Sequence, residues 1–287
     1  MDLSIIIISY NTVDLIVNCL NSINSDDDVI KEVFVVDNAS TDGSAAIIQR
    51  TFPAVHLIVN SDNRGFAAAN NQVLSQCEGR YFFFLNPDTI VMPGVFKTAI
   101  SYMESNTCIG LAGTKIVNPD GSLQDSVSYR YPGEKYTRGE LSGLKGSIAC
   151  VLGASMIARS NLIGELGGFD DKFFIYGEDQ DLCLRIRKLG YEIGYIESAV
   201  VVHFGGQSER QSTSAELWKK KVTAEHLFYR KHYRFDTFSC IRRADMVKAY
   251  WRIFTLGMTM PFIQDKARAR EKLVKYKIYL RSSSIDE

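Results

Sequence analysis

Leu3-Ser4-Ile5-Ile6-Ile7-Ile8-Ser9 is a nearly unbroken β-branched run, and a short apolar run of this kind reads as a strand buried on both faces of a parallel sheet. Tyr10-Asn11-Thr12 ends it, and Leu15, Cys19, Leu20 and Ile23 follow at helical spacing. The alternation then repeats. Glu32 to Asp37 is a second buried strand, and Asn38 to Ser44 turns into a helix ending near Phe52-Pro53. His56 to Val59 is a third strand, with a helix opening over Asn63 to Asn71; Tyr81 to Leu85 is a fourth, ended by Asn86-Pro87-Asp88. Strands alternating with helices predict a doubly wound α/β sheet, whose ligands collect beyond the carboxyl ends of the strands.

Ser9, Tyr10, Asn11, Asp37, Asn63 and Asp88 all fall at or just after those ends. A lone Asp37 is more often a cap or turn residue, but the coincidence of the whole set favours a nucleotide site. Neither G-x-G-x-x-G nor G-x-x-x-x-G-K-[ST] occurs, so dinucleotide and P-loop binding are not supported. Gly65 with Ala67, Ala68 and Ala69 is a small-residue surface that suits close approach of a nucleotide or plain helix packing equally.

Farther along, residues 93–117 read as a helix and a strand, and Asn118-Pro119-Asp120-Gly121 is a turn. From Ser122 to Gly146 periodicity is poor, consistent with a solvated loop or a flap carrying Arg130, Tyr131, Tyr136 and Arg138. Ala149 to Ala158 is apolar around Gly153-Ala154, and Val200-Val201-Val202-His203 is a strand ending in a histidine. Asp26-Asp27-Asp28 reads as an acidic loop.

The most telling segment runs from Gly167 to Arg185. Glu178, Asp179 and Asp181 put three carboxylates into four residues, directly behind Phe173, Phe174 and Tyr176. A helix follows, with Leu182, Ile186 and Leu189 on one side and Gly190 as its stop. Asp179 lies three and four residues ahead of Leu182 and Cys183, so it starts the helix on the side that turns inward. A single acid there would only complement the helix dipole, worth under ~1 kcal/mol. Three acids in one turn raise one another's pKa, which is how a general base is made.

Phe-Phe-x-Tyr-x-Glu-Asp-x-Asp-Leu-Cys-x-Arg resembles the signature segment of rhamnosyltransferase-like members of glycosyltransferase family 2, and further matching stretches fall in the same order between about residues 3 and 210. The resemblance implies a GT-A-like doubly wound mixed sheet and transfer with inversion at the sugar. It implies Asp179 as the catalytic base, with Glu178, Asp181, Phe173, Phe174 and Tyr176 around the acceptor. Asp37, in Val-Val-Asp-Asn-x-Ser-x-Asp-Gly-Ser, is implied to contact the nucleobase, and Asn63, Gly65 and Asn70 to lie beside the nucleotide with Ser9, Tyr10, Asn11 and Asn86.

Asn86-Pro87-Asp88 stands where the fold usually carries Asp-x-Asp, so one anionic ligand is missing. A single carboxylate can still hold Mg²⁺ when phosphates and water supply the rest. The resemblance therefore implies a divalent metal, Mg²⁺ or Mn²⁺, on Asp88 and on His203 of the stretch His-x-Gly-Gly-x-Ser, which runs through Ser208. Arg159 takes the basic place of another family stretch, and the small residues before it leave room for a sugar. Gln207-Ser208-Glu209-Arg210-Gln211 lacks the tryptophan of the processive synthases, which favours a single addition. The donor implied is a dTDP- or UDP-sugar carrying rhamnose or another deoxyhexose. The acceptor implied is a lipid-linked glycan of cell-surface polysaccharide or O-antigen assembly.

The chain of 287 residues has a formal net charge of +0, but the charge is divided. Residues 1–218 carry 16 Lys+Arg against 26 Asp+Glu, and residues 219–287 carry 17 against 7. We expect a catalytic domain over residues 1–215 and a helical, basic C-terminal extension over 216–287. Within Met246 to Ile263, Val247, Tyr250, Trp251, Phe254 and Met258 form an apolar side, while Lys248, Arg252, Thr255 and Thr259 form a polar stripe. Such a helix suits an anionic membrane interface. Its uncharged run, Ile253 to Gln264, is too short to span a bilayer. The competing expectation is a helix packed on the body or on the partner of a homodimer.

Nucleic acid is not expected, since no aromatic-interleaved basic groove accompanies the charges. Leu3 to Ile8 lacks the length and basic flank of a signal peptide, and six scattered cysteines suggest reduced thiols. Together these give a cytoplasmic protein, peripheral on the inner face of the cytoplasmic membrane. Two rivals share the fold. A nucleotidyltransferase would want a basic Gly-rich loop in Ser9 to Leu20, which is absent. A non-catalytic sugar- or lipid-binding scaffold would have no need for Asp37, Asp88, Asp179 and His203 together.

Overall fold

The computed structural model describes residues 1–25, 29–205 and 213–282. The Asp26–Asp28 loop and the stretch from Gly206 to Gln211 lie outside them. The described chain divides into two units: Met1–Tyr131, Leu144–Phe174 and Glu178–Gln207 in the first, Pro132–Gly143, Ile175–Gly177 and Ser208–Glu287 in the second.

The first unit is built on an eight-stranded sheet. Its strands are β1 (Leu3–Ser9), β2 (Lys31–Asp37), β3 (His56–Val59), β4 (Tyr81–Leu85), β5 (Thr89–Val91), β6 (Ile109–Val117), β9 (Ser155–Arg159) and β10 (Glu192–His203), in the order β3-β2-β1-β4-β9-β6-β10-β5. A separate pair, β7 (Val127–Ser128) with β8 (Cys150–Val151), breaks up the stretch expected to be a loop or flap. β1 pairs in parallel with β2 and β4, β2 with β3, and β10 with β6. β9 runs against both β4 and β6, and β5 runs against β10. The sheet is therefore mixed. The carboxyl ends of β1, β2, β4, β6 and β10 share one edge with the starts of β5 and β9.

β1 is buried along its whole length, as its β-branched run requires. The helices α1 (Val13–Asn24), α2 (Ser44–Thr51), α3 (Phe66–Leu74), α4 (Val95–Ser105), α5 (Ser160–Glu165) and α6 (Glu178–Lys188) complete the unit. On α1 the buried residues are Ile16, Cys19, Leu20 and Ile23. Leu15 is only half-buried, because a helix starting at Val13 turns Ile16 onto the sheet. Phe83 and Phe96 meet edge to face in the core at 5.1 Å between ring centres.

The second unit is helical: α7 (Ser214–His232), α8 (Phe235–Thr259) and α9 (Lys266–Ser282). Thr213 opens α7 with a reciprocal capping box to Glu216. The unit also takes in residues 132–143, where Tyr233 donates to the Pro132 carbonyl at 2.6 Å and Thr237 to Glu140 at 2.6 Å. α8 is longer than the expected segment and ends at Thr259, ahead of Pro261, whose missing N–H cannot continue it. Tyr279 on α9 donates to Glu225 on α7 at 2.8 Å, and the Lys275 ammonium lies 4.0 Å from the centre of the Trp218 ring.

Gly65 has φ +79, and a Cβ there would overlap the Phe174 carbonyl oxygen and lie 2.9 Å from the Phe174 Cα. Gly43 has φ +93 with nothing within 4 Å. Gly65→Ala is expected to cost about 2–6 kcal/mol, the sum of about 1–3 for a positive-φ, extended-ψ backbone that is essentially glycine's alone and about 1–3 for overpacking, whereas Gly43→Ala pays only left-handed strain of about 1–2 kcal/mol. Urea unfolding of the two variants reads the difference, and equal losses would contradict the close approach.

Candidate active site

The sheet edge just described gathers the candidate residues from separate parts of the chain. β1 ends at Ser9, which is fully buried and shares a hydrogen bond with Thr12 at 2.8 Å. Tyr10 is exposed, and Asn11 takes φ 52. The loops after β1 and β2 are laced together. The Asn11 N–H donates to Ser40 Oγ at 2.9 Å, the Thr41 N–H to Asn11 Oδ1 at 2.8 Å, and the Val13 N–H to Asp42 Oδ2 at 2.9 Å.

Asp37 is buried at the end of β2. Its Oδ1 accepts from the Ser40 N–H at 2.9 Å, and its Oδ2 has no hydrogen-bond partner. Asn63 Oδ1 accepts from the Gly65 N–H at 2.9 Å and from Asn38 Nδ2 at 3.0 Å. Asn38, not singled out in the sequence, is the hub here. Its Oδ1 also accepts from the Arg64 N–H and from Asn60, both at 3.1 Å. Asn70 is buried in α3, donating to the Phe66 carbonyl at 2.9 Å and leaving its Oδ1 unpartnered. Gly65 is where the backbone of Phe174 comes closest, and the Phe66 N–H donates to the Phe174 carbonyl at 2.7 Å.

After β4, the Asn86 N–H donates to the Ala154 carbonyl at 2.9 Å. Its neighbour in that turn, Gly153, donates its N–H to Asp179 Oδ2 at 3.1 Å. The turn entering β9 thus links the Asn86-Pro87-Asp88 loop to the first turn of α6. A Cβ on Gly153 would sit 3.4 Å from the Asp179 Cβ, an ordinary van der Waals contact, so the turn and the helix start lie side by side with room for a methyl group. Arg159 has a structural role. Its guanidinium donates to the carbonyls of Ile109, Met103 and Asn106 at 2.9, 2.7 and 3.2 Å, satisfying the end of α4.

The three acids of α6 divide by environment. Asp181 is fully buried, paired with Arg185 at 2.8 Å, and Arg185 also donates to the Leu166 carbonyl; Asp181 anchors the helix. Asp179 is half-buried and accepts from the N–H groups of Gly153 and Gln180, at 3.1 and 2.8 Å. Glu178 is buried with its Oε2 unpartnered. Burial, and then the Asp179 charge, push the Glu178 carboxyl up to about 8. Burial also raises Asp179, but its two N–H donors oppose the shift. Asp179 is therefore the member of the pair built to ionise, and Glu178 the member that holds a proton. Phe173 is buried in the core at 1% exposure, leaving Phe174 as the exposed ring. Tyr176 belongs to the second unit, where the Lys221 ammonium lies 5.1 Å from its ring centre.

Asp88 ends the loop after β4, and His203 ends β10 opposite Thr89 of β5. Both are buried, and His203 Nε2 lies 3.3 Å from Asp88 Oδ1. Among the described residues no group of three or more His, Cys, Asp or Glu side chains is placed to hold a metal ion. Two protein donors suffice for a cation that takes the rest from phosphate and water. Cis ligands of one octahedral ion, each about 2.1 Å from it, lie about 3.0 Å apart, close to the separation seen. The residues present fit such an ion.

Glu178 binds a proton more tightly in the folded chain than in the unfolded one, so stability falls as pH rises from the ordinary glutamate range through about 8. Glu178→Gln removes this dependence. The variant is expected to match wild type near pH 4.5 and to be more stable at pH 9, the gap growing by up to about 1.4 kcal/mol per pH unit between those limits. Parallel pH profiles in urea unfolding would refute the assignment.

The model of the family described as Glycosyl transferase family 2 matches residues 4–166, more than half of the chain. The N-acetylglucosaminyl-diphospho-decaprenol L-rhamnosyltransferase of Mycobacterium tuberculosis is 25% identical over 215 residues, covering 64% of this chain and 70% of that protein. Rhamnosyltransferase WbbL of Escherichia coli is 26% identical over 244 residues, covering 78% and 91%. Among solved structures, a mannosyltransferase from Pyrobaculum calidifontis in complex with GDP-Man and Mn²⁺ superposes with TM-score 0.62 at 17% identity, covering 99% of this chain and 86% of that one. S. aureus TarS in complex with UDP-GlcNAc gives TM-score 0.54 at 21% identity, covering 79% and 67%. The fold is GT-A-like, and the chain is a glycosyltransferase that belongs to glycosyl transferase family 2.

Proposed function

We propose that this glycosyltransferase moves a deoxyhexose, rhamnose first, from a dTDP- or UDP-sugar to a hydroxyl of a lipid-linked glycan in cell-surface polysaccharide assembly, with inversion. The observation that carries the reading is the Asp179 carboxylate, fixed by the Gly153 N–H on the turn that also bonds Asn86. Asp179 takes the proton from the acceptor hydroxyl. That oxygen bonds to the anomeric carbon from the face opposite the diphosphate, and the bond from that carbon to the diphosphate oxygen breaks, its electron pair leaving with the nucleoside diphosphate. A divalent cation on Asp88 and His203, when bound, offsets the negative charge on the leaving diphosphate. Asp37, with one oxygen unpartnered, suits the N3–H that uracil and thymine share. The deoxysugar and the lipid-linked acceptor rest on the relatives, one of which is named for a decaprenol-linked sugar.

Asp179→Asn keeps the shape and the N–H contacts but cannot accept the proton. Transfer from dTDP-rhamnose is expected to fall by ~10²-fold or more while donor affinity stays within a few-fold. Near wild-type turnover would remove Asp179 from the role, and turnover of GDP-mannose with neither dTDP- nor UDP-sugars would refute the donor.

We further infer that α8 lies on an anionic membrane surface, on the side where the chain is cytoplasmic. Val247, Tyr250, Trp251, Phe254 and Met258 are all exposed, as is Phe262 just beyond, with exposed Lys248 and Arg252 among them. No helix among the described residues is long and apolar enough to cross a membrane. An aromatic row with interspersed cations suits headgroup depth. The full chain should co-sediment with phosphatidylglycerol vesicles, less so as salt rises, and Trp251→Ser with Phe254→Ser should weaken this on the order of tenfold. Indifference to such vesicles at low salt would make the row a protein interface, a homodimer contact included.

A further inference from the structure

Gln124 lies just beyond β6, past the turn closed by the Gly121 N–H on the Asn118 carbonyl and the Asn118 N–H on the Ser122 carbonyl, both at 2.8 Å. From there it grips His203 at two points. Its Nε2 donates to the His203 backbone carbonyl at 2.7 Å, and its Oε1 lies 2.9 Å from His203 Nδ1. The same Nε2 reaches Asn118 Oδ1 at 2.7 Å. A backbone carbonyl can only accept, so the amide nitrogen must face it and the amide oxygen must face the ring. An amide oxygen also can only accept, so His203 Nδ1 carries a proton.

The consequence falls on the other ring nitrogen. In a neutral imidazole with Nδ1 protonated, Nε2 presents a lone pair. That lone pair faces Asp88 Oδ1 at 3.3 Å, inside a buried pair. Two lone pairs at this distance repel, and a cation between them satisfies both.

We propose that Gln124 is a positioning residue for the divalent cation: it locks His203 in the tautomer and orientation that turn Nε2 toward the ion. The inference rests on the reading of Asp88 and His203 as ligands. It adds a residue that touches neither the ion nor the substrate. Gln124→Met removes the acceptor at similar volume and frees the ring to protonate Nε2 against Asp88. Gln124→Glu keeps an acceptor at Nδ1.

The test is a Mn²⁺ titration of the full chain, read from the paramagnetic resonance signal of free Mn²⁺, with and without UDP. Gln124→Met should weaken Mn²⁺ binding by ~10-fold or more, the range for lost outer partners of a ligating histidine, and Gln124→Glu should stay within a few-fold of wild type. A purely structural role would lower the metal-free melting temperature of Gln124→Met and leave Mn²⁺ affinity unchanged, which overturns the proposal. If wild type itself takes up no Mn²⁺ with UDP present, the ligand reading and this inference fall together, and that outcome is visible in the wild-type arm alone. Should Gln124→Met fail to fold, ¹⁵N-histidine spectra of wild type with Mg²⁺ and UDP decide: a His203 proton on Nδ1 supports the proposal, and one on Nε2 alone overturns it.

Discussion

The site depends on the two strands that run against the rest of the sheet. β9 hydrogen-bonds antiparallel to both β4 and β6, so the chain enters it at the edge where its parallel neighbours end. Gly153 and Ala154 are therefore delivered between the Asn86 loop and the first turn of α6. β5 does the same for Asp88, since its register against β10 sets Thr89 opposite His203. An all-parallel sheet would send the starts of these strands to the far edge, with Gly153 a full strand length from Asp179. Backbone hydrogen bonds between these strands thus fix where the carboxylates stand.

That placement is held against a cost. Asp37 Oδ2, Asn70 Oδ1 and Glu178 Oε2 are buried without hydrogen-bond partners, and an unsatisfied buried polar atom costs about 1–3 kcal/mol. The flanks are correspondingly over-secured. Arg159 satisfies three carbonyls behind the sheet, and the Asp181–Arg185 pair fixes the start of α6. The sheet core supplies the surplus: β1 alone buries four isoleucines. A site tuned for stability would pair Glu178. Leaving it unpaired beside Asp179 separates the proton affinities of two adjacent carboxyls, as the proposed role of Asp179 as base calls for.

Much of this was legible in the sequence because it is local. β-branched runs gave the strands, the acids and amides at their ends gave the edge, and the spacing of Asp179 to Leu182 and Cys183 turned it inward. What stayed hidden is long-range. Gln124 and His203 are 79 residues apart, and no period or turn signal links them. β5 has only three residues, too few to show an alternation, so its direction could not be read. Phe173 and Phe174 look alike as letters, yet one is core and the other exposed, because α6 and the Gly65 contact fix the phase between them. Gly65, read in the sequence as suiting close approach of a nucleotide or plain packing equally, admits the Phe174 backbone.

Backbone strain marks the same edge independently of any side-chain chemistry. Asn11, Ala39 and Tyr176 are the non-glycine residues with positive φ among those described, at 52, 67 and 70°. Each costs roughly 1–2 kcal/mol relative to ordinary backbone. Asn11 follows β1, Ala39 follows β2, and Tyr176 stands two residues before Glu178. Asn11 is the type most tolerant of this conformation, and its side chain is tied to the Thr41 N–H. Alanine and tyrosine are not types that favour this conformation, and glycine at position 39 or 176 would relieve the backbone strain. Strain of this kind persists where surrounding contacts over-determine the backbone, and it concentrates at functional sites. Here it falls on both loops expected to face the nucleotide and on the residues leading to the proposed base, the same conclusion that the unpartnered carboxylates give from electrostatics.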